Sequence, residues 1–199
     1  MGEAYLQRDD LMSHLILASA SPRRRELLAQ AGYTFEVIPA HIDETRAADE
    51  DPSTYVARLA LEKAQVIHAQ HPDAIVLGAD TTVVLNGEVL NKPQDREEAA
   101  RMLRALSGRT HQVHTGIAVV TRNAQRTHVE TTNVDFAPIP EDELATYLAT
   151  GDSLDKAGAY GIQGYAARWI PRIEGDFFNV MGLPLVATVR LLNNLYVVP

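Results

Sequence analysis

The stretch from Ala74 to Leu90, AIVLGADTTVVLNGEVL, limits what this chain can fold into more than any other. Ala74 to Leu77 is a continuous apolar run, the pattern of a strand buried on both faces, and it ends in Gly78-Ala79-Asp80. Residues 82–90 then alternate around Asn86-Gly87, a dipeptide suited to the two positive-φ positions of a tight hairpin turn. A doubly buried strand asks for helices on both sides, and a hairpin asks for antiparallel neighbours. Together they predict a mixed sheet, with Asp80 at the end of a strand.

The rest of the chain alternates in the same way. Segments 14–18 and 35–38 read as short strands on either side of a helix that Ser21 caps, Pro22 opens and Gly32 stops. Pro52 opens a longer helix that stops before Pro72, with Tyr55, Val56, Leu59, Ala60, Lys63, Ala64 and Ile67 along it. A helix over 94–106, two long strands over 111–121 and 128–136, and a helix over 140–150 follow. A strand over 168–173 and a terminal helix over 183–195 complete the pattern. No internal repeat, low-complexity tract or linker interrupts it. The expectation is one α/β domain over residues 14–199, with residues 1–13 as an extension of no assigned role.

Composition removes several classes of function. The chain has no cysteine, which excludes disulfide frameworks, zinc knuckles and a cysteine nucleophile, and fits a reducing compartment. Acidic residues outnumber basic ones, 26 to 18, for a formal net charge of −8. That is the reverse of the basic face a duplex-binding protein carries, so no nucleic-acid partner is expected. The opening MGEAYLQRDDLMSH lacks the basic start and apolar stretch of a secretory signal. No run approaches the roughly 20 apolar residues of a membrane span. The expectation is a soluble cytoplasmic protein without a membrane partner. An anionic small ligand stays open, because its site needs only a few local cations.

Several places concentrate groups able to do chemistry. Ser19-Ala20-Ser21-Pro22-Arg23-Arg24-Arg25 sits at a strand-to-helix junction, where the helix dipole disfavours cations. Free backbone N–H groups, serine hydroxyls and guanidinium forks together suit a polyphosphate there; a solvated basic patch behind an ordinary serine cap is the alternative. Asp80-Thr81 follows the buried run at a place where α/β sheets gather ligands. A carboxylate there can bind a metal or activate water, and can equally be a turn residue. Lys92, in Asn91-Lys92-Pro93, can reach phosphate oxygens as a point charge, and Lys63 beside Glu62 offers a second lysine. Both also read as ordinary surface residues. The run DKAGAYGIQG over 155–164 holds three glycines that permit close backbone approach. It also holds Gln163, whose amide can donate and accept toward a nucleobase edge. Ile42-Asp43-Glu44-Thr45 adds hard oxygen ligands that suit Mg²⁺ or Mn²⁺. Asp49-Glu50-Asp51 reads as the solvated approach to the Pro52 helix. No histidine is assigned to catalysis: His111 and His114 face opposite ways on a strand, and His68 and His71 suit a helix C-terminus.

Taken in order, SASPRRRELL, IDET, RLALEKA, LGADT, NKP, TGIAVV, DKAGAYGIQG and NVMGLPL resemble the Maf family over about residues 14–195. The resemblance implies a fold like that of inosine triphosphate pyrophosphatases, an elongated mixed sheet flanked by helices with a cleft between two lobes, often as a homodimer. It implies hydrolysis of a nucleoside triphosphate to monophosphate and pyrophosphate with a divalent metal, commonly Mg²⁺, Mn²⁺ or Co²⁺. On the matching positions Asp80 is the general base, Arg24, Lys63 and Lys92 grip phosphates, and Glu44 helps Asp80 hold the metal. Ser19 and Ser21 fall in the substrate-binding motif at the strand-to-helix junction.

The branch acting on dTTP and UTP carries an arginine, a threonine and a glutamine at its specificity positions, matched here by Arg23, Thr81 and Gln163. The branch acting on 7-methyl-GTP tends to show tryptophan, glutamine and glutamate there. A hydroxyl and a neutral amide suit a pyrimidine's imide edge, whereas a methylated guanine carries positive charge better met by a carboxylate. Modified pyrimidine triphosphates are further candidates, in a house-cleaning role. Two rivals stay open. One is a nucleotide-binding regulator of septum formation, which needs the phosphate grip but no base. The other is an inosine or xanthosine triphosphate hydrolase.

Overall fold

The computed structural model describes residues 14–196, so the extension expected over 1–13 lies outside the described residues. Strand β1 (Leu15–Leu17) lies between β2 (Glu36–Val37) and β3 (Ile75–Leu85), parallel to both. Beyond its parallel stretch β3 runs antiparallel to β4 (Glu88–Leu90), and on its other edge to β5 (Thr110–Val120). Strand β5 pairs with β6 (Gln125–Asp135), which pairs with β7 (Arg172–Glu174). Among the described residues these strands form one mixed sheet in the order β2-β1-β3-β5-β6-β7, with β4 beside β3. The Asn86-Gly87 turn forms as expected, with φ of 53° and 83°, the positive pair of a type I′ hairpin.

The expectation that a strand ends at Asp80 is corrected: β3 continues through it to Leu85. The apolar run and the alternating run are one strand whose partners change along its length. Leu77 is its last residue paired with β1, and Val83 its first paired with β4. On that edge residues 78–82 face no strand, while β5 pairs with all of them on the other. Asp80 therefore stands in a gap, just past the carboxyl end of its parallel neighbour, where ligands collect in α/β sheets.

Helix α1 (Pro22–Gln30) begins as expected, the Ser21 hydroxyl accepting from the Arg24 backbone N–H at 3.4 Å. Helix α2 (Pro52–His68) buries a stripe from Tyr55 to Ile67 against β3 and β5, and Lys63 lies on that stripe. Two glycines let this helix come close. A Cβ on Gly78 would sit 2.1 Å from the Ala60 carbonyl oxygen, and one on Gly116 would sit 2.3 Å from that of Val56.

The other face of the sheet carries two apolar clusters. One joins Leu17, Leu77, Ala79 and Ile117 to α1, α5 (Phe177–Met181) and α6 (Leu185–Tyr196). The second joins Val83, Leu85, Val113 and Val134 to α3 (Arg96–Leu106) and α4 (Glu141–Thr150). Thr81 lies on β3 between them, and the cleft opens there, between two lobes.

Two further boundaries differ from expectation. Residues expected as a strand from 168 begin instead with a 3₁₀ turn, Tyr165–Trp169, and the strand covers Arg172–Glu174. The terminal helix is preceded by α5, whose cap Asp176 accepts from the N–H groups of Phe178 and Asn179 at 2.7 and 3.3 Å. Five residues are too few to show a helical period. Among the described residues no helix is long and apolar enough to cross a membrane.

Candidate active site

Asp80 faces a chamber of about 230 Å³ that adjoins a cleft of about 550 Å³. Arg24, Glu44, Lys63, Thr81, Lys92 and Ala157 wall both spaces, which makes them one continuous site. Asp80 itself lines the smaller part, with Tyr55 and Asn91. Ser19, Ser21 and Arg23 from the start of α1, and Gln163 from the glycine-rich segment, line the larger part. The fold thus gathers every site residue that the sequence pointed to.

Lys63 and Asp80 form the buried centre, 7% and 8% exposed. Lys63 Nζ donates to Asp80 Oδ1 at 2.6 Å and lies 2.7 Å from Glu44 Oε1. Of the two readings open for Lys63, an ordinary surface lysine is ruled out by its burial, and its neighbour Glu62 meets Arg58 at 3.3 Å. The close packing that Gly78 permits is what brings this lysine to the strand. Burial raises the Asp80 carboxyl above the usual carboxylate range, while Lys63 and Arg24 pull it back. A carboxylate pushed upward in this way is better matched to accepting a proton near neutral pH.

Arg24 is tied inward. Its Nε donates to the Gly182 carbonyl at 2.8 Å, and Nη1 donates to Ser19 Oγ at 3.2 Å and to the Ala79 carbonyl at 2.8 Å. Its Nη2 donates to Thr81 Oγ1 at 2.9 Å. A guanidinium has five N–H donors, so these four bonds leave a single one over. Burial lowers the Arg24 pKa from its usual value, and Asp80 counters that. Arg23 is held more loosely, its Nη1 3.8 Å from Asp155 Oδ2.

On the α2 side of β3 lies a support that sequence reasoning missed. Thr82 Oγ1 donates to Asn91 Oδ1 at 3.0 Å, Asn91 Nδ2 to the Tyr55 hydroxyl at 3.4 Å, and that hydroxyl to the Glu44 carbonyl at 2.9 Å. Tyr55 fits the apolar stripe of α2, and nothing in its spacing points to Glu44.

Among the described residues no three His, Asp or Glu side chains gather to hold a metal. Glu44 and Asp80 do offer two carboxylates, and their oxygens already meet around one cationic atom, Lys63 Nζ. Mg²⁺ is usually bound through one or two carboxylates, with substrate phosphates and water completing the set. The pair fits such an ion. His111 and His114 face apart, as expected, against Tyr160 and Thr131.

A family model described as Maf-like protein matches residues 14–195. The chain belongs to the Maf family. It is 51% identical over 185 residues to a dTTP/UTP pyrophosphatase of Koribacter versatilis, covering 93% of this chain and 96% of that protein. It is 53% identical over 184 residues to a dTTP/UTP pyrophosphatase of Escherichia coli, covering 92% and 93%. A solved HAM1 protein from Coxiella burnetii matches with a TM-score of 0.52 at 18% identity, over 92% of this chain and 100% of that one. At that identity the likeness is one of fold alone. The mixed-sheet α/β architecture expected of a Maf-family chain is the one observed.

Proposed function

We propose that this chain hydrolyses dTTP and UTP to the monophosphate and pyrophosphate, with a divalent metal, in the cytoplasm. The observation that carries the reading is Asp80, a buried carboxylate raised in pKa within a cleft that Lys63, Arg24 and Lys92 also line. The base preference rests on relatives at 51% and 53% identity that carry that name, and on Arg23 and Gln163 at the wall of the larger space.

In this mechanism Lys63, Lys92 and the remaining N–H of Arg24 offset the charge of the triphosphate. At the start of α1 Pro22 has no N–H and the N–H groups of Arg24 and Arg25 are bonded to Ser21, so the Arg23 backbone N–H is the one that adds to them. Lys63 holds Asp80 by Oδ1, leaving Oδ2 to meet a water placed against the α-phosphorus. Asp80 takes the water's proton as the new oxygen–phosphorus bond forms. The bond from the α-phosphorus to the bridging oxygen breaks, and pyrophosphate leaves with that electron pair. Glu44 and Asp80 would hold the metal, which supplies further charge neutralisation on phosphate oxygens. Gln163 meets the imide edge of the pyrimidine. We further take the active form to be a homodimer, for which light scattering would give twice the mass of one chain.

Product analysis across a panel of triphosphates in H₂¹⁸O tests this reading. Expected are preferential turnover of dTTP and UTP, label in the monophosphate, and a loss in kcat of about 10²- to 10⁴-fold in Asp80→Asn. Preference for ITP would overturn the base assignment, and label in pyrophosphate the point of attack. Full turnover by Asp80→Asn would remove Asp80 as the base.

A further inference from the structure

Two motifs that the proposed chemistry leaves without work are TGIAVV, on β5, and NVMGLPL, at α5 and its exit. They meet beneath Asp80. Thr115 and Asn179 are both fully buried, at 0% exposure. Thr81 Oγ1 lies 2.9 Å from Thr115 Oγ1, which donates to the Asn179 backbone carbonyl at 2.9 Å. That carbonyl also accepts from the Gly182 N–H at 2.9 Å, and the Gly182 carbonyl accepts from Arg24 Nε. With Arg24 Nη2 on Thr81 the bonds close into a ring, from Arg24 through Thr81, Thr115, Asn179 and Gly182 back to Arg24.

Counting protons fixes the direction of every bond in the ring. A guanidinium only donates, a carbonyl only accepts, and each hydroxyl has one proton. Thr115 spends its proton on Asn179, so Thr81 must donate to Thr115. Thr81 in turn accepts from Arg24. Bonds aligned head to tail from a cation to a carbonyl polarise one another. The Thr81 proton is therefore turned inward and is not available to a nucleobase, which alters the role expected for this hydroxyl. Arg24 grips the Ala79 carbonyl and the Thr81 hydroxyl, the residues on either side of Asp80.

We propose that Thr115 is a positioning residue for triphosphate hydrolysis: its hydroxyl locks Thr81, and through it Arg24, so that β3 holds Asp80 in its reactive position. Thr81 then affects substrate choice through this ring, by where it sets Arg24 and the strand, and not by donating to the base. The proposal rests on the Asp80 reading above. Its failure is separable, because Thr115 does not itself line the cleft and meets it only through Thr81, and one readout does not depend on turnover.

The test compares Thr115→Val, which keeps the shape and removes the hydroxyl, with Thr115→Ser, which restores it in a smaller side chain. With dTTP and Mg²⁺, Thr115→Val is expected to lose kcat by about 10- to 100-fold, the scale of a sub-ångström to 1 Å misplacement. KM should change less than kcat, since Arg24 alone among the groups proposed to contact the triphosphate belongs to the ring, and Lys63 and Lys92 do not. Thr115→Ser should retain kcat within about threefold. In parallel, the Arg24 Nε–H signal in NMR should exchange slowly in wild type and Thr115→Ser, and lose that protection in Thr115→Val. If Thr115→Val keeps its kcat, or if Thr115→Ser loses as much, the hydroxyl does not position the site and the proposal falls. Unchanged Nε–H protection in Thr115→Val overturns it as well, even if no triphosphate is turned over. Should Thr115→Val fail to fold by circular dichroism, Thr115→Ala against Thr115→Ser decides, since both leave space and only serine restores the proton.

Discussion

At the scale of single residues the site turns on one lysine shared by two carboxylates. Lys63→Met keeps the length of the stem and deletes the charge, leaving Asp80 and Glu44 without their common partner. The expected result in steady-state assays is a fall in kcat/KM of about 10²-fold, the size seen when a preorganised donor is removed. Tyr55→Phe removes the bond to the Glu44 carbonyl and the longer one that the hydroxyl accepts from Asn91 Nδ2. It is expected to cost about 1 kcal/mol in urea unfolding, and to raise the metal concentration needed for half-maximal turnover, because the loop bearing Glu44 is released. The motifs in the sequence brought Asp80, Glu44, Lys63 and Lys92 to notice because each carries a charge in a patterned place. Tyr55, Asn91 and Thr115 stayed illegible for a physical reason. Their work is done by single hydroxyls and amides whose partners are far away along the chain, and no local spacing encodes that.

At the scale of elements, the position of α2 depends on what is missing from the sheet. Gly78→Ala would put a methyl group 2.1 Å from the Ala60 carbonyl oxygen, a backbone atom that cannot swing aside. The helix must move outward, carrying Lys63 from Asp80. Expected are a destabilisation of about 1–3 kcal/mol, typical of overpacking, measured by urea unfolding, and a loss of turnover beyond what the remaining folded fraction explains. In the sequence this glycine looked like punctuation before Asp80 and suggested that the strand ended. The same residue serves close packing in the middle of β3 instead, and periodicity alone does not distinguish the two. The Asn86-Gly87 hairpin, by contrast, was fully legible, because its backbone angles follow from the two residues themselves.

At the scale of the whole molecule, one of the two apolar clusters that flank the cleft carries a buried group sensitive to acid. His111 lies in the cluster of α3 and α4, 2% exposed, with Nε2 2.6 Å from the Tyr160 hydroxyl and its ring edge-on to Phe136. Burial pushes its pKa down to about 4 from the ordinary 6.5, with Asp135 opposing. The folded value lies below the unfolded one, so the unfolded chain takes the proton first as the pH falls. The stability that the neutral ring contributes is fully present above pH 6.5 and is lost on the way down to about 4. Between pH 7 and 4.5, urea unfolding should show the wild type losing about 2–3 kcal/mol more than His111→Phe. The alternation of elements announced a mixed α/β sheet, but not how its strands share β3, and that sharing creates the cleft. Where β1 stops, the ladder along β3 does not. The Leu77 carbonyl accepts from the backbone of Ala18, and the next carbonyl on that edge, Ala79, accepts from the Arg24 guanidinium. A side chain stands in for a missing strand. What remains of that edge is a short unzipped seam, of the kind that in the open would recruit another chain. Here it lies at the bottom of a cleft with a strand at either end, within reach of a nucleotide and out of reach of a neighbouring protein.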